Sequence, residues 1–141
     1  RSVSRGLGDV YKRQANTILK GGGYVTGIIP KLLSKKEILN KEVSDLIIVN
    51  NMHERKKKMY DLSDAFIILP GGIGTLEEFS EITTWKILGI EKKPIFLLNF
   101  DGFYDHLIQQ FEVMEKYNFL YSDILKEVII INSISDLDSF L

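Results

Sequence analysis

Five short apolar runs, separated by stretches of helical period, constrain this chain more than any other feature. Tyr24 to Ile29 reads as a strand that stops at Pro30. Leu46 to Val49, Phe66 to Leu69, Ile95 to Leu98 and Val128 to Ile131 read as four more. The runs are continuous rather than alternating, the pattern of strands covered on both faces. Between them, Met52 to Ser63, Leu76 to Leu88 and Phe103 to Tyr117 carry apolar residues at helical spacing. Strands alternating with helices predict an α/β fold whose parallel sheet is joined by right-handed crossovers. In such sheets ligands bind at the carboxyl ends of the strands.

The chain has 141 residues, which suits one domain, and 45% of them are hydrophobic, enough for a core. Its 18 basic and 19 acidic side chains nearly cancel. That balance argues against a surface built for nucleic acid. With no cysteine, disulfides, thiolate catalysis and cysteine-based metal sites are excluded. No apolar run approaches the roughly 20 residues that span a bilayer, and no secretory signal is visible. A soluble, cytoplasmic protein is the expectation. Arg1 to Gln14 is basic and broken by glycine, with no strand pattern, and the chain starts without Met. Ala15 to Gly23 reads as the tail of a helix capped by glycines.

The third apolar run leads straight into Pro70-Gly71-Gly72-Ile73-Gly74-Thr75-Leu76-Glu77-Glu78. A strand, a glycine turn and a helix start in that order form an anion cradle. Glycines let the backbone turn sharply and let a ligand approach the main chain. The N–H groups of the first helical turn point at that ligand, and the helix dipole favours negative charge there. Two carboxylates follow within one turn. A phosphate site with an acid beside it points to an enzyme acting on a nucleotide or sugar phosphate. The same turn also occurs in α/β proteins that bind nothing, and Glu77 equally suits the dipole of a helix start. Periodicity leaves open which carboxylate faces the pocket. No Lys follows the glycines as a nucleoside-triphosphate loop requires, and the glycine spacing is not that of the dinucleotide fingerprint.

A second stretch, Met52-His53-Glu54-Arg55-Lys56-Lys57-Lys58-Met59, opens the helix before the third run. Arg55, Met59 and Leu62 share a face by spacing. An arginine on an apolar stripe suggests an anionic partner, since its planar fork suits phosphate or carboxylate. Lys56, Lys57 and Lys58 read as a solvated face, with Lys56 the exception worth testing. His53 reads as a cap or a surface residue, and His106 is assigned no role. Two isolated histidines do not make a metal site. Phe79, Ile82 and Trp85 read as core or as a partner-facing stripe.

Met52-His53-Glu54-Arg55-Lys56, followed by Pro70 to Glu78, resembles the signature pair of the LOG family. These are the cytokinin riboside 5′-monophosphate phosphoribohydrolases, often labelled lysine decarboxylases. The likeness runs from about Ala15 to the C-terminus. It includes Gly27-Ile28-Ile29-Pro30, Thr84-Trp85, Leu88-Gly89, Lys93-Pro94 and Asn99-Phe100-Asp101-Gly102-Phe103-Tyr104. The resemblance implies a Rossmann-like, doubly wound parallel sheet and usually a homodimer. It implies hydrolysis of the N-glycosidic bond of a nucleoside 5′-monophosphate to a free base and ribose 5-phosphate, with no metal or redox cofactor. By motif position it implies Arg55 and Glu78 as the catalytic pair. The run Gly71 to Glu77 would bind substrate, with Gly72 to Thr75 gripping the phosphate. Glu37, Lys56 and Thr84 match further substrate contacts. Nothing in the chain suggests a pyridoxal phosphate lysine, so the decarboxylase label is rejected.

One departure stands out. Family members carry an earlier strand–helix–strand and a glycine-rich turn before the helix that ends near Gly21. Arg1 to Gln14 occupies that place and does not match it. The expectation is therefore a Rossmann-like domain over residues 15–141 that lacks its first strand–helix–strand, with residues 1–14 as foreign sequence. Three competing readings are a phosphorylated-ligand carrier of the molybdenum-cofactor carrier type, a DNA-processing protein with a related core, and a structural dimer. The carrier has no use for Arg55 and Glu78 as a pair, and charge disfavours the second. The choice between adenine and an N6-modified adenine is not legible.

Overall fold

A computed structural model of the chain describes residues 13–34, 43–90, 92–120 and 124–140. The chain divides into two compact units, Arg1–Ser63 and Asp64–Leu141. Every strand pair among the described residues is parallel.

In the first unit, residues 13–20 are helical (α1). The helix stops where glycine permits a left-handed residue. Gly22 has φ +80, its amide donates to the Leu19 carbonyl, and Gly23 donates to Ile18 at 2.9 Å. This paired terminator satisfies carbonyls that the helix end would otherwise leave open. Next come β1 (Thr26–Pro30), α2 (Lys31–Ser34), β2 (Asp45–Val49) and α3 (Met52–Leu62). β1 pairs with β2, Ile28 opposite Ile47 and Pro30 opposite Val49. Pro30 is the last residue of its strand, as its missing N–H dictates. Tyr24 falls outside the strand and is 71% exposed. Among the described residues of this unit Ile28, Val49 and Tyr60 are buried.

Helix α3 begins at Met52 because side chains close its first turn. The Asn51 side chain accepts from the Glu54 amide at 2.9 Å. The Glu54 carboxylate reaches back to the Asn50 amide at 2.8 Å and to the Asn50 side chain. This is a capping box shifted by one residue. At the far end the Ser63 hydroxyl donates to the Met59 carbonyl at 2.7 Å. The expected stripe of Arg55, Met59 and Leu62 is not the buried one. Met59 and Leu62 are 38% and 52% exposed, whereas Tyr60 is buried and Arg55 and Lys56 are half-buried. The polar residues carry the inner side, because Arg55 finds a backbone partner there.

The second unit contains β3 (Phe66–Ile68), α4 (Ile73–Ile87), β4 (Ile95–Leu98), a 3-10 turn η1 (Phe100–Gly102), α5 (Asp105–Lys116), α6 (Ile124–Glu127), β5 (Val128–Ile131) and a 3-10 segment η2 (Ile134–Ser139). β4 lies between β3 and β5, with Ile68, Leu97 and Ile130 in register. On one face Phe96, Leu98 and Ile131 pack with Leu69, Ile129 and Leu137. Phe140 adds an edge-on ring against Phe96 at 5.3 Å. By strand alternation Ile95, Leu97 and Val128 point to the opposite face, and all three are buried. Phe79 of α4 meets Phe111 of α5 at 6.0 Å between ring centres. Burying a ring of this size is worth about 1.5–3 kcal/mol.

Cover on both faces, expected for every strand, holds only for β4, which is buried at all four positions. Ile48, Ile67 and Ile130 are 52%, 45% and 37% exposed. They lie on β2, β3 and β5, each with a single strand neighbour among the described residues. A continuous apolar run therefore marks a strand here without guaranteeing its cover. Two helix starts also shift. α4 starts at Ile73, not Leu76, because Gly72 serves as its N-cap. α5 starts at Asp105, not Phe103, because Asp101 and Gly102 turn left-handed at φ 51 and 71. α4 and α5 then end like α1. Gly89 and Asn118 take φ 70 and 58, and each is bracketed by paired terminator bonds. Among the described residues no helix is long and apolar enough to cross a membrane.

Candidate active site

The glycine turn lies between the end of β3 and the start of α4. Its three glycines answer to different constraints. A Cβ on Gly71 would sit 2.8 Å from the Thr75 Cβ, so the Thr75 side chain folds back where only glycine leaves room. A Cβ on Gly72 or Gly74 would meet nothing within 4 Å. Neither is held by conformation, since Gly72 is extended at φ −94, ψ −158 and Gly74 is not among the positive-φ glycines. Crowding does not demand glycine at these two positions, and at Gly74, inside the helix, glycine costs roughly 0.5–1 kcal/mol against alanine. The first backbone bond of α4 runs from the Leu76 amide to the Gly72 carbonyl at 3.1 Å. The amides of Ile73, Gly74 and Thr75 precede that bond and have no carbonyl one turn back. No side chain caps the helix at Gly72. No side chain covers the backbone of this first turn at Gly72 or Gly74, and Ile73 between them is 82% exposed.

Tyr104, which the sequence marks only as the last residue of the Asn99 to Tyr104 stretch, bonds to the chain just before this turn. Tyr104 is 3% exposed, and its hydroxyl donates to the Leu69 carbonyl at 2.7 Å. Burial pushes the Tyr104 hydroxyl pKa up, and the Gly71 amide offsets part of that shift. No local motif announces the contact, because its partners are 35 residues apart.

Of the two acids, Glu77 is exposed and Glu78 is half-buried beside Phe79, itself 2% exposed. Helical side chains lean toward the N-terminus over the residues three and four before them. By that rule Glu78 leans toward Gly74 and Thr75, and Glu77 toward Ile73 and Gly74. Leu76 is half-buried. Thr84 is exposed, and its hydroxyl donates to the Ser80 carbonyl of its own helix at 2.7 Å. Six residues on from Glu78, Thr84 sits about 240° around the helix and so falls on the stripe of Glu77.

Arg55 and Lys56 belong to the first unit, the glycine turn, Glu78 and Thr84 to the second. Arg55 is half-buried, and its Nε donates to the Ile28 carbonyl in β1 at 3.1 Å. Part of the reason for an arginine on this face is therefore structural. Lys56 is half-buried while Lys57 and Lys58 are exposed, and Lys57 pairs with Asp61 at 2.9 Å. Glu37 lies outside the described residues. His53 is exposed, and His106 is exposed with its Nδ1 at 3.4 Å from the Gln109 side chain. Among the described residues no three His, Asp or Glu side chains gather as a metal site would require.

A parallel α/β fold with a strand, glycine turn and helix start defines a class that the comparisons identify. The sequence model of a family described as "Possible lysine decarboxylase" matches residues 11–139, and the chain belongs to that family, the LOG family of Rossmann-like proteins. The probable cytokinin riboside 5′-monophosphate phosphoribohydrolase LOGL1 of Oryza sativa subsp. japonica is 46% identical over 129 residues, which cover 86% of this chain and 58% of that protein. The LOG phosphoribohydrolase of the same plant is 44% identical over 115 residues, 82% of this chain and 48% of the relative. LOG2 of Arabidopsis thaliana, named for the same reaction, is 53% identical over 88 residues, 62% of this chain and 41% of the relative. The chain thus spans about half the length of the curated relatives it matches.

Proposed function

We propose that the protein carrying this chain hydrolyses the N-glycosidic bond of nucleoside 5′-monophosphates, cytokinin riboside 5′-monophosphate or AMP, to a free base and ribose 5-phosphate. The observation that carries this reading is the helix start at Gly72 and Gly74, where no side chain caps the first turn and neither glycine is required by crowding. The names of the relatives support the same reaction.

In this reading Gly71 to Glu77 bind substrate, and the amides of Gly72 to Thr75 grip the 5′-phosphate, far from the bond that breaks. That grip orients the ribose before the chemistry begins. Breaking the bond from C1′ to the base nitrogen sends the electron pair to the base and leaves positive charge on the sugar ring. The Glu78 carboxylate stabilises that charge and accepts a proton as the water oxygen bonds C1′; the departing base takes up a proton. Arg55, held at Nε by β1, uses its remaining donors to hold the substrate. Glu37, Lys56 and Thr84 add contacts. We place the protein in the cytoplasm as a homodimer, which sedimentation of the purified protein would check.

The test is base release from a panel of nucleoside 5′-monophosphates, AMP first, followed by chromatography. Glu78→Ala lowers the rate by about 10²–10⁴-fold, and Glu77→Ala far less. Unchanged turnover in Glu78→Ala removes the assigned role. A bound nucleotide that stays intact through long incubation favours a carrier instead.

A further inference from the structure

The turn that presents the open amides is itself held from two sides. On one side Thr75 packs against Gly71. On the other, a phenol hydroxyl holds the chain just before the glycines. The Tyr104 hydroxyl donates to the Leu69 carbonyl at 2.7 Å, two residues before Gly71. Pro70 between them has no N–H, so this segment has little backbone bonding of its own to fix it. Tyr104 is in turn located by Asn99. The Asn99 carbonyl oxygen accepts from the Tyr104 amide at 2.7 Å, and its amide nitrogen donates to Asp105 at 2.7 Å. The bend between these residues passes through the left-handed Asp101 and Gly102. The result is a chain of hydrogen bonds from the end of β4 to the entry of the glycine turn.

We propose that Tyr104 is a positioning residue for anion binding: its hydroxyl fixes Leu69 to Gly71 so that the amides following Gly72 converge on a phosphate monoester. The proposal rests on the reading of this turn as the phosphate grip. Two of the residues past the clamp, Gly72 and Gly74, have no side chain to restrain them. A fixed entry point removes much of the ordering that a ligand would otherwise impose, and donors aimed in advance bind more tightly than donors that must be gathered. If Tyr104 served only as buried ring area, its hydroxyl would be dispensable.

The experiment is an amide-resolved NMR titration of the chain with ribose 5-phosphate, comparing wild type with Tyr104→Phe, which keeps the ring. In wild type the Gly72, Ile73 and Gly74 amides shift on titration. In Tyr104→Phe the affinity falls about three- to tenfold, the change expected from losing one buried hydrogen bond. Val128→Ala, a core change at the end of the sheet away from the turn, lowers stability without moving the affinity. Equal affinities for wild type and Tyr104→Phe overturn the proposal and leave the phosphate reading standing. No wild-type shift at Gly72 to Gly74 overturns both. Should Tyr104→Phe not fold, the wild-type hydroxyl proton decides: a Tyr104 hydroxyl resonance that exchanges slowly with water supports the clamp, and one averaged with water refutes it.

Discussion

Helices α3 and α4 both begin just past the end of a parallel strand, yet their first turns are finished in opposite ways. At α3 every device is a side chain. Asn51 accepts from Glu54, and the Glu54 carboxylate bonds back to Asn50. At α4 the N-cap is Gly72, with no side chain bonded to it and a second glycine two residues on. One helix start is closed by its own residues and the other is left for something else to fill. Closing a first turn stabilises a fold by about 1 kcal/mol. Leaving one open sacrifices that gain, and the open turn is the one beside the candidate acid.

The contrast is most easily broken at Gly74. Gly74→Ala meets empty space, so thermal unfolding should show a more stable protein by roughly 0.5–1 kcal/mol. If a phosphate uses this backbone, the same change weakens ribose 5-phosphate binding by about tenfold or more. Calorimetric titration beside a melting curve reads both, and unchanged binding would erase the distinction between the two helix starts. Asn51→Ala sharpens it from the other side. That change should cost about 1 kcal/mol, range 0.5–2, in urea unfolding, with ribose 5-phosphate affinity unaltered. The smallest effect is on pH. The Asn50 backbone and side-chain bonds hold the Glu54 carboxyl below its ordinary value of 4.5. A depressed carboxylate contributes stability above its unfolded value, and that contribution disappears as pH falls through the folded one. The stability gap between wild type and Glu54→Gln should therefore be present at neutral pH and close below about pH 4.5, as the urea midpoint followed against pH will show.

Much of the fold was legible because burial writes itself into continuous apolar runs. Ile95-Phe96-Leu97-Leu98 predicts β4, and all four are buried. The run at Leu46 to Val49 predicts β2 equally well but not the exposure of Ile48, which depends on strand neighbours that no local pattern encodes. The terminator at Gly22 was readable from the glycine cluster, whereas Asn118 performs the same task at α5 without that signal. The 3-10 segment η2 does carry a local signature, Ser133 and Asp136 at capping-box spacing, with Asp136 bonded to both the Ser133 amide and hydroxyl. It follows the last apolar run closely and is short enough to pass for a tail. At the site, the glycine turn was readable, and so was the presence of an acid near it. Periodicity could not choose between Glu77 and Glu78; the structure leaves Glu77 exposed and Glu78 half-buried beside the buried Phe79 ring, and the assignment of Glu78 is our proposal. Tyr104 was beyond reach, since its role is a bond to a carbonyl 35 residues away.

Glu78 and Phe79 are neighbours on α4, one leaning toward the turn and the other sunk among the buried rings. The proposed acid is thereby bolted to the oily interior, with no hinge between them. Whatever loosens that interior also blurs the aim of the carboxylate, so drift in the core would surface as drift in turnover.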